Sequence, residues 1–533
     1  MKKEKEKKWL ANRLKRLIEK MLSGMQVVVV LCLQFGDTAK GKIVEILAAF
    51  WADIILRNTG GPNAGHTFCV NGKKVITHLL PCGIQHSHVT NIIGPGVALD
   101  LIALDKEMQQ LPELDFKNLK ISHEVGLLMP FHVLEDLMSK RCQKIGTTGS
   151  GIGPFYADLA ARFVFHLNDL MNPKIFKSKL QEYFEEKENY FKTWDKAKIK
   201  QLIADKKPEL ARFYDEEKVF NKEAITEYYL NYLGKKFRPY LFDIIPYMEQ
   251  ALADGKRIVF EGSQGALLDV TYGTTTFQTS GQVEIMGALR GTGIPFTKVD
   301  RVFGTAKAPN TTRVGNGPFV TEFGGPESEK HCSDKTHTEA WEKEHYHFNL
   351  DELLEKAEEK GIDFLFGILI RILGKEYGAK TGRPRRGGWL DEFALKYAIN
   401  INQAHLVLTK LDVMTGVKKL KICIGYTYMG EPMWLGDRYL HHRERLKNFT
   451  KFSEILYLCD PIYEELDGWT EDITQAHCLS DLPLNLLKYI DRLWKLTSTP
   501  IDMLSVGPDQ LQTIVILSHF RLKMAIWRKK LHL

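Results

Sequence analysis

The chain has 533 residues, 44% of them hydrophobic and 26% charged, with a formal net charge of +7. That apolar content is ample for a folded core and excludes a disordered chain. The charge does not describe a nucleic-acid surface: nine Lys or Arg against three Glu in the first 24 residues supply +6 of it, leaving the other 509 residues near neutral.

Eight cysteines are scattered with no C-x-x-C pair. No zinc knuckle or disulfide framework is readable from that spacing, and reduced thiols in a cytoplasmic protein are the simpler account. No run of ~18 apolar residues occurs, so no membrane-spanning helix is expected. The amino terminus lacks the apolar core of a secretory signal.

In chain order, residues 9–22 read as a basic amphipathic helix with Leu10, Leu14, Leu17, Ile18 and Met21 on one face. It is either a dispensable extension ahead of Met25 or a contact for an anionic membrane. From Met25 the order is strand, glycine loop, helix, strand. Residues 27–33 are a continuous β-branched run, as in a strand buried on both faces of a parallel sheet. A helical pattern over 42–50 and a strand over 53–57 follow, an alternation that predicts α/β architecture with right-handed crossovers. Residues 101–250 carry more helix signals and read as a helical excursion. Glycine punctuation returns at 261–317. A charged helix is expected at 349–360, then an arginine-rich loop at 378–388, then a strand at 405–409. The expected organisation is a basic extension over 1–24, one domain over 25–520 with an insertion near 323–376, and a basic tail over 521–533.

After the first strand, Gly36-Asp37-Thr38-Ala39-Lys40-Gly41-Lys42 satisfies G-x-x-x-x-G-K. Its backbone N–H groups can cradle phosphate at a helix N-terminus, or it is only a tight strand-to-helix turn. Ile43 follows where a Mg²⁺-binding Ser or Thr is usual, so Asp37 is the available hard ligand for Mg²⁺. Residues 60–67 then place Asn63 and His66 among small residues. His66 is a proton donor, a partner for phosphoryl oxygens, or a structural histidine in a capping turn. Thr409-Lys410-Leu411-Asp412 closes the later strand. A carboxylate there can accept both N1–H and the 2-amino group of guanine, and Lys410 can lie along the purine. Arg383, Arg385 and Arg386 sit between glycines, a loop suited to carboxylate or phosphate, or simply a solvated basic turn.

These segments together resemble the adenylosuccinate synthetase family. The stretches that carry the likeness are 34–42, 60–67, 78–81, 146–154, 260–269, 311–319, 382–391, 409–413 and 506–509. The resemblance implies a large, mainly parallel sheet with a P-loop-like nucleotide site, and a Mg²⁺-dependent ligase acting on IMP, GTP and L-aspartate. Asp37 would take the N1 proton of IMP while its 6-oxygen attacks the γ-phosphate of GTP, and His66 would act as acid. Aspartate would then displace phosphate from the 6-phosphoryl intermediate. Lys40 and Gln264 would complete the catalytic set, and Mg²⁺ would meet Asp37 and the Gly65 carbonyl. IMP would meet Asp37, Lys40, Asn63, Ala64, Gly65, His66, Thr148, Gln264, Thr279 and Arg383, with Arg162 supplied across a homodimer. GTP would meet residues 36–42, Gly65, His66, Thr67, Arg385, Lys410, Leu411, Asp412, Ser505, Val506 and Gly507. Aspartate would meet Ala379, Lys380, Thr381, Gly382, Arg383, Pro384 and Arg385.

The chain departs from the family pattern at identifiable places. Thr38 and Ala39 stand where the loop usually has Glu and Gly, and an Ala forced to φ > 0 carries a penalty of ~1 kcal/mol or more. Ser150 replaces a usual basic residue, Lys380 a usual threonine, and the chain is longer than usual between Glu322 and Gly378.

Overall fold

The computed structural model describes residues 2–70, 73–334, 336–346, 349–359, 363–378 and 382–531. A ten-stranded sheet organises them. Its strands are β1 (Val27–Cys32), β2 (Ile54–Arg57), β3 (Thr90–Ile93), β4 (Leu119–Ser122), β5 (Leu241–Phe242), β6 (Ile258–Glu261), β7 (Arg301–Lys307), β8 (His405–Thr409), β9 (Ile501–Ser505) and β10 (Thr513–Val515). Their spatial order is β5-β4-β3-β2-β6-β1-β7-β8-β9-β10. Every pairing is parallel except that of β9 with the edge strand β10.

The β-branched run of β1 explains its central place. Val27, Val29 and Leu31 enter the core on one face of the sheet, and Val28 and Val30 enter the core on the other. Successive side chains alternate across a strand, so only a continuous apolar run satisfies two buried faces. Val28 pairs with Val259 on one side and Arg301 on the other, which fixes β1 between β6 and β7.

Helix α1 (Lys2–Met21) is longer than the sequence pattern suggested, and its apolar face is not free. Leu14, Ile18 and Leu22 are buried with Ile43, Val44 and Leu47 of helix α2 (Lys40–Phe50) and Val515 of β10. Between β4 and β5 the chain is mainly helical and shares a separate core with residues 79–121, where Phe131 stacks on Tyr183 at 4.2 Å between ring centroids. A smaller sheet sets Asn310–Arg313 antiparallel to Arg386–Asp391, so the end of the arginine loop lies against Thr311 and Thr312. Helices Gly325–Ser333, Glu339–His345, Leu350–Glu359 and Asp363–Gly374 fill the stretch between them.

Candidate active site

Parallel strands point one end of the sheet at one crevice, and connections leaving that end share it. The loops after β1, β2, β6, β8 and β9 all leave carboxyl ends, and they hold most of the candidate residues. Left-handed backbone at Gly36 (φ 93°), Asp37 (51°) and Ala39 (59°) curls the first loop into the kind of nest that presents N–H groups to an anion. Ala39 thus adopts the positive φ for which glycine is better suited. Thr38 faces inward: its Oγ1 lies 2.6 Å from Thr305 Oγ1, and Thr409 Oγ1 donates to the Thr38 carbonyl at 3.2 Å.

The two loop lysines diverge. Lys40 Nζ donates to the Gln264 carbonyl at 2.7 Å, tying the loop to the end of β6. Lys42 Nζ donates to Ser505 Oγ (2.8 Å), Gly507 O (2.7 Å) and Gln512 O (3.0 Å), so it is joined to the 505–507 turn. Gln264 Nε2 donates to Asn63 Oδ1 at 3.1 Å, linking the loops after β6 and β2. His78 Nδ1 bonds the Ala64 carbonyl at 2.7 Å.

His66 is buried against α2, where any side chain added at Gly41 would meet its Cβ and the Thr67 carbonyl at 3.2 Å each. Its Nδ1 hydrogen-bonds the carboxylate of Glu261, the last residue of β6. The Cys82 N–H donates to the other Glu261 oxygen at 2.8 Å, and the Cys82 thiol to the first at 3.1 Å. Burial brings His66 down to about 4, despite Glu261. Burial alone would raise Glu261, but His66, Arg57 and the Cys82 N–H outweigh it and hold the carboxyl to about 2. A carboxylate therefore fixes the Nδ1–H tautomer, and the opposite nitrogen, Nε2, is buried with no partner among the described residues.

A second carboxylate organises the basic residues. Glu376 Oε2 accepts from Lys307 Nζ at 2.7 Å and from Arg385 Nη1 at 2.8 Å, while Lys410 Nζ lies 3.6 Å from Oε1. Those three cations outweigh burial and hold Glu376 well below the usual carboxylate range. Burial lowers Lys307 to about 8. Arg385 also reaches Asp37, Nε to Oδ2, at 2.8 Å. Lys410 has left-handed backbone (φ 62°) and donates to the Gly374 carbonyl at 2.6 Å. Leu411 is buried, and burial raises the Asp412 carboxyl.

Other expected residues sit apart from this network or outside it. Arg383 Nε donates to the Cys332 carbonyl at 2.6 Å, and its Nη2 to Asn316 Oδ1 at 3.3 Å. Thr148 Oγ1 donates to buried Ser150 Oγ at 2.9 Å. The Thr279 N–H bonds the Leu268 carbonyl at 2.7 Å. Arg162 is exposed, with φ 64°. Pro384 bridges Tyr377, Gly382 has φ 64°, and Val506 is buried. Ala379, Lys380 and Thr381 lie outside the described residues. Sequence reasoning missed Glu261, Glu376, Lys307, Thr305 and Cys82. Only Glu261 carried a signal, since it falls inside the 260–269 stretch.

The family model for adenylosuccinate synthetase matches residues 29–514. The adenylosuccinate synthetase of Bacillus licheniformis is 36% identical over 503 residues, covering 93% of this chain and 100% of that protein. That of Listeria welshimeri is 37% identical over 504 residues, with the same coverage. Among solved structures, fully ligated adenylosuccinate synthetase from Plasmodium falciparum superposes with a TM-score of 0.72 at 30% identity, over 92% of this chain and 100% of that one. The match starts in the buried run of β1 and ends in β10, taking in every loop of the crevice: the chain belongs to the adenylosuccinate synthetase family.

Proposed function

We propose that the crevice joins IMP to L-aspartate at the expense of GTP, with Asp37 as base and His66 as acid. The observation that carries this reading is the His66–Glu261 pair: one imidazole nitrogen fixed by a carboxylate, the other buried and unpartnered among the described residues, next to the loop that presents Asp37. The Asp37 carboxylate accepts the N1 proton of IMP, and the 6-oxygen takes the γ-phosphoryl group as GDP leaves. The aspartate amine then bonds to C6, loses a proton, and phosphate departs. His66 is uncharged before substrate arrives, because burial disfavours the cation. A phosphoryl oxygen close to Nε2 raises its proton affinity, so the imidazole takes up a solvent proton there as substrate enters and then donates where negative charge develops.

Arg385 lies between the base and Glu376, placed to exchange its hold on Asp37 for a substrate anion. Asp412 accepts the paired donors of guanine, with Lys410 along the ring; Lys40, Gln264, Asn63, Thr148, Thr279 and Arg383 orient IMP. Mg²⁺ suits the hard oxygens of Asp37 and the Gly65 carbonyl. It does not suit the His66–Cys82–Glu261 cluster, whose imidazole and thiol are softer donors already bonded to the carboxylate. When bound, the ion supplies neutralising charge to phosphate oxygens.

Arg162 serves the second subunit of a homodimer in this reading, and the loop at 379–385 receives aspartate. Residues 25–520 form the catalytic body, with 1–24 and 521–533 as basic additions. Free thiols at Cys32, Cys82, Cys332, Cys423 and Cys459 suit the reducing cytoplasm.

The test mixes pure protein with IMP, GTP, Mg²⁺ and aspartate and follows adenylosuccinate by absorbance. Asp37→Asn is expected to abolish turnover while sparing GTP binding. Unchanged turnover would reject the assigned base, and no product from the unaltered protein at saturating aspartate would reject the reading.

A further inference from the structure

The two terminal helices have similar composition but opposite situations. α1 spends its apolar face on the body, as described above. The C-terminal helix His519–Lys530 is held to the body by its other side: Leu522 is fully buried, Ala525 nearly so, and Ile526 packs beside them. His519 locks the first turn, stacking on Trp494 at 4.3 Å and bonding Asp491 Oδ1 through Nε2 at 2.7 Å. With that face fixed, the opposite one is set by geometry.

At 100° per residue, Phe520, Met524, Trp527 and Leu531 fall within an arc of about 60°. Phe520 is 71% exposed, Trp527 52% and Leu531 50%. Arg521 and Arg528 flank this ridge on one side, Lys523 and Lys530 on the other, and all four are exposed. No acidic residue occurs after Asp509. The result is an apolar ridge between two cationic rails, pointing away from the protein.

We propose that this outer face docks the protein on an anionic lipid surface. Aromatic and aliphatic side chains along the ridge enter the boundary between headgroups and acyl chains, while the rails meet lipid phosphates. The charge pattern argues against other occupants. Pairing with a second copy of the same helix would set the ridge of one chain beside the like charges of its mate. A nucleic acid would engage the rails and leave the ridge in water. No helix among the described residues is long and apolar enough to cross a membrane, so the attachment is peripheral.

The full chain is sedimented with vesicles of phosphatidylcholine alone and of phosphatidylcholine mixed with phosphatidylserine. Partitioning is expected to be at least about tenfold stronger to the mixed vesicles and to weaken with salt. The double variant Phe520→Ser, Trp527→Ser is expected to lose that partitioning with its circular dichroism and melting temperature unchanged. Binding to neither vesicle, equal binding to both, or undiminished binding by the variant would each overturn the proposal. So would a variant whose sole change is loss of a dimer by light scattering, or retention on RNA that the vesicles do not displace.

Discussion

Arg385 spans two carboxylates, holding Asp37 through Nε and Glu376 through Nη1, each at 2.8 Å. A planar guanidinium can do this because its donors diverge in one plane; a lysine offers a single point charge. Arg385→Lys should therefore lose one of the two contacts and lower kcat by about 10- to 100-fold, and Arg385→Leu by about 100-fold or more, as for removal of a charge-stabilising donor. Steady-state rates with GTP varied would check this. Equal rates for Arg and Lys would show that the fork geometry is irrelevant.

Ala39 opens α2 with φ 59°, ψ 31°, and its side chain makes no capping bond. A left-handed non-glycine residue costs about 1–2 kcal/mol, of which the entropy of a glycine in the unfolded chain returns about 0.4–1. Ala39→Gly should raise stability by about 0.5–1 kcal/mol, seen as a higher urea midpoint at unchanged slope. A lower midpoint would mean that the methyl group contributes packing that outweighs the strain.

Acid should destabilise the fold through His66. Its folded value, about 4, lies below the ordinary 6.5, so between those limits the unfolded chain binds a proton that the native protein does not. Stability is thus lost as pH falls from about 6.5 to 4. Glu261, held to about 2, acts in the same direction at lower pH: its contribution is full above the ordinary 4.5 and is lost as pH falls toward 2. Replacing His66 by Gln should flatten the upper part of this slope by an amount on the order of 1–3 kcal/mol. Denaturant titrations at several pH values would measure it, and an unchanged slope would reject the assignment.

Removing residues 1–24 should weaken the protein instead of merely shortening it. Leu14, Ile18 and Leu22 are each at most 4% exposed, and burial of such a side chain is worth about 1.5–3 kcal/mol before ordering entropy is deducted. Because α1 packs on α2 and β10, the truncated chain should also show a raised KM for GTP beside its lower melting temperature. A truncated protein with both values unaltered would return the helix to the status of a dispensable extension.

The central strand, the loop that follows it and the 405–409 strand were legible because each is a local pattern: an apolar run, a glycine spacing, a run ending in Lys410 and Asp412. The order of strands was not legible, since β6 lies beside β1 only through pairing more than two hundred residues apart. The carboxylates that organise the crevice were hidden for the same reason. His66 and Glu261 are 195 positions apart, and Lys307 and Glu376 are 69 apart. Neither glutamate has a neighbour in the chain that announces its partner. Whether the body covers a terminal helix was not legible either, because periodicity marks an apolar face without saying what packs on it. α1 is covered, while the tail expected at 521–533 is largely a docked helix with an open ridge.

Glu376 has an implication for anyone wishing to redesign nucleotide preference. Lys410, beside the proposed purine slot, and Arg385, beside Asp37, lean on opposite oxygens of one anion, and Lys307 completes the trio. Retuning the enzyme toward adenine by altering Lys410 would unbalance that shared counter-ion and shift Arg385 with it. In the proposed reading, base selectivity and proton abstraction are thus wired in series through Glu376, and Asp412 joins the same circuit through the charge of Lys410.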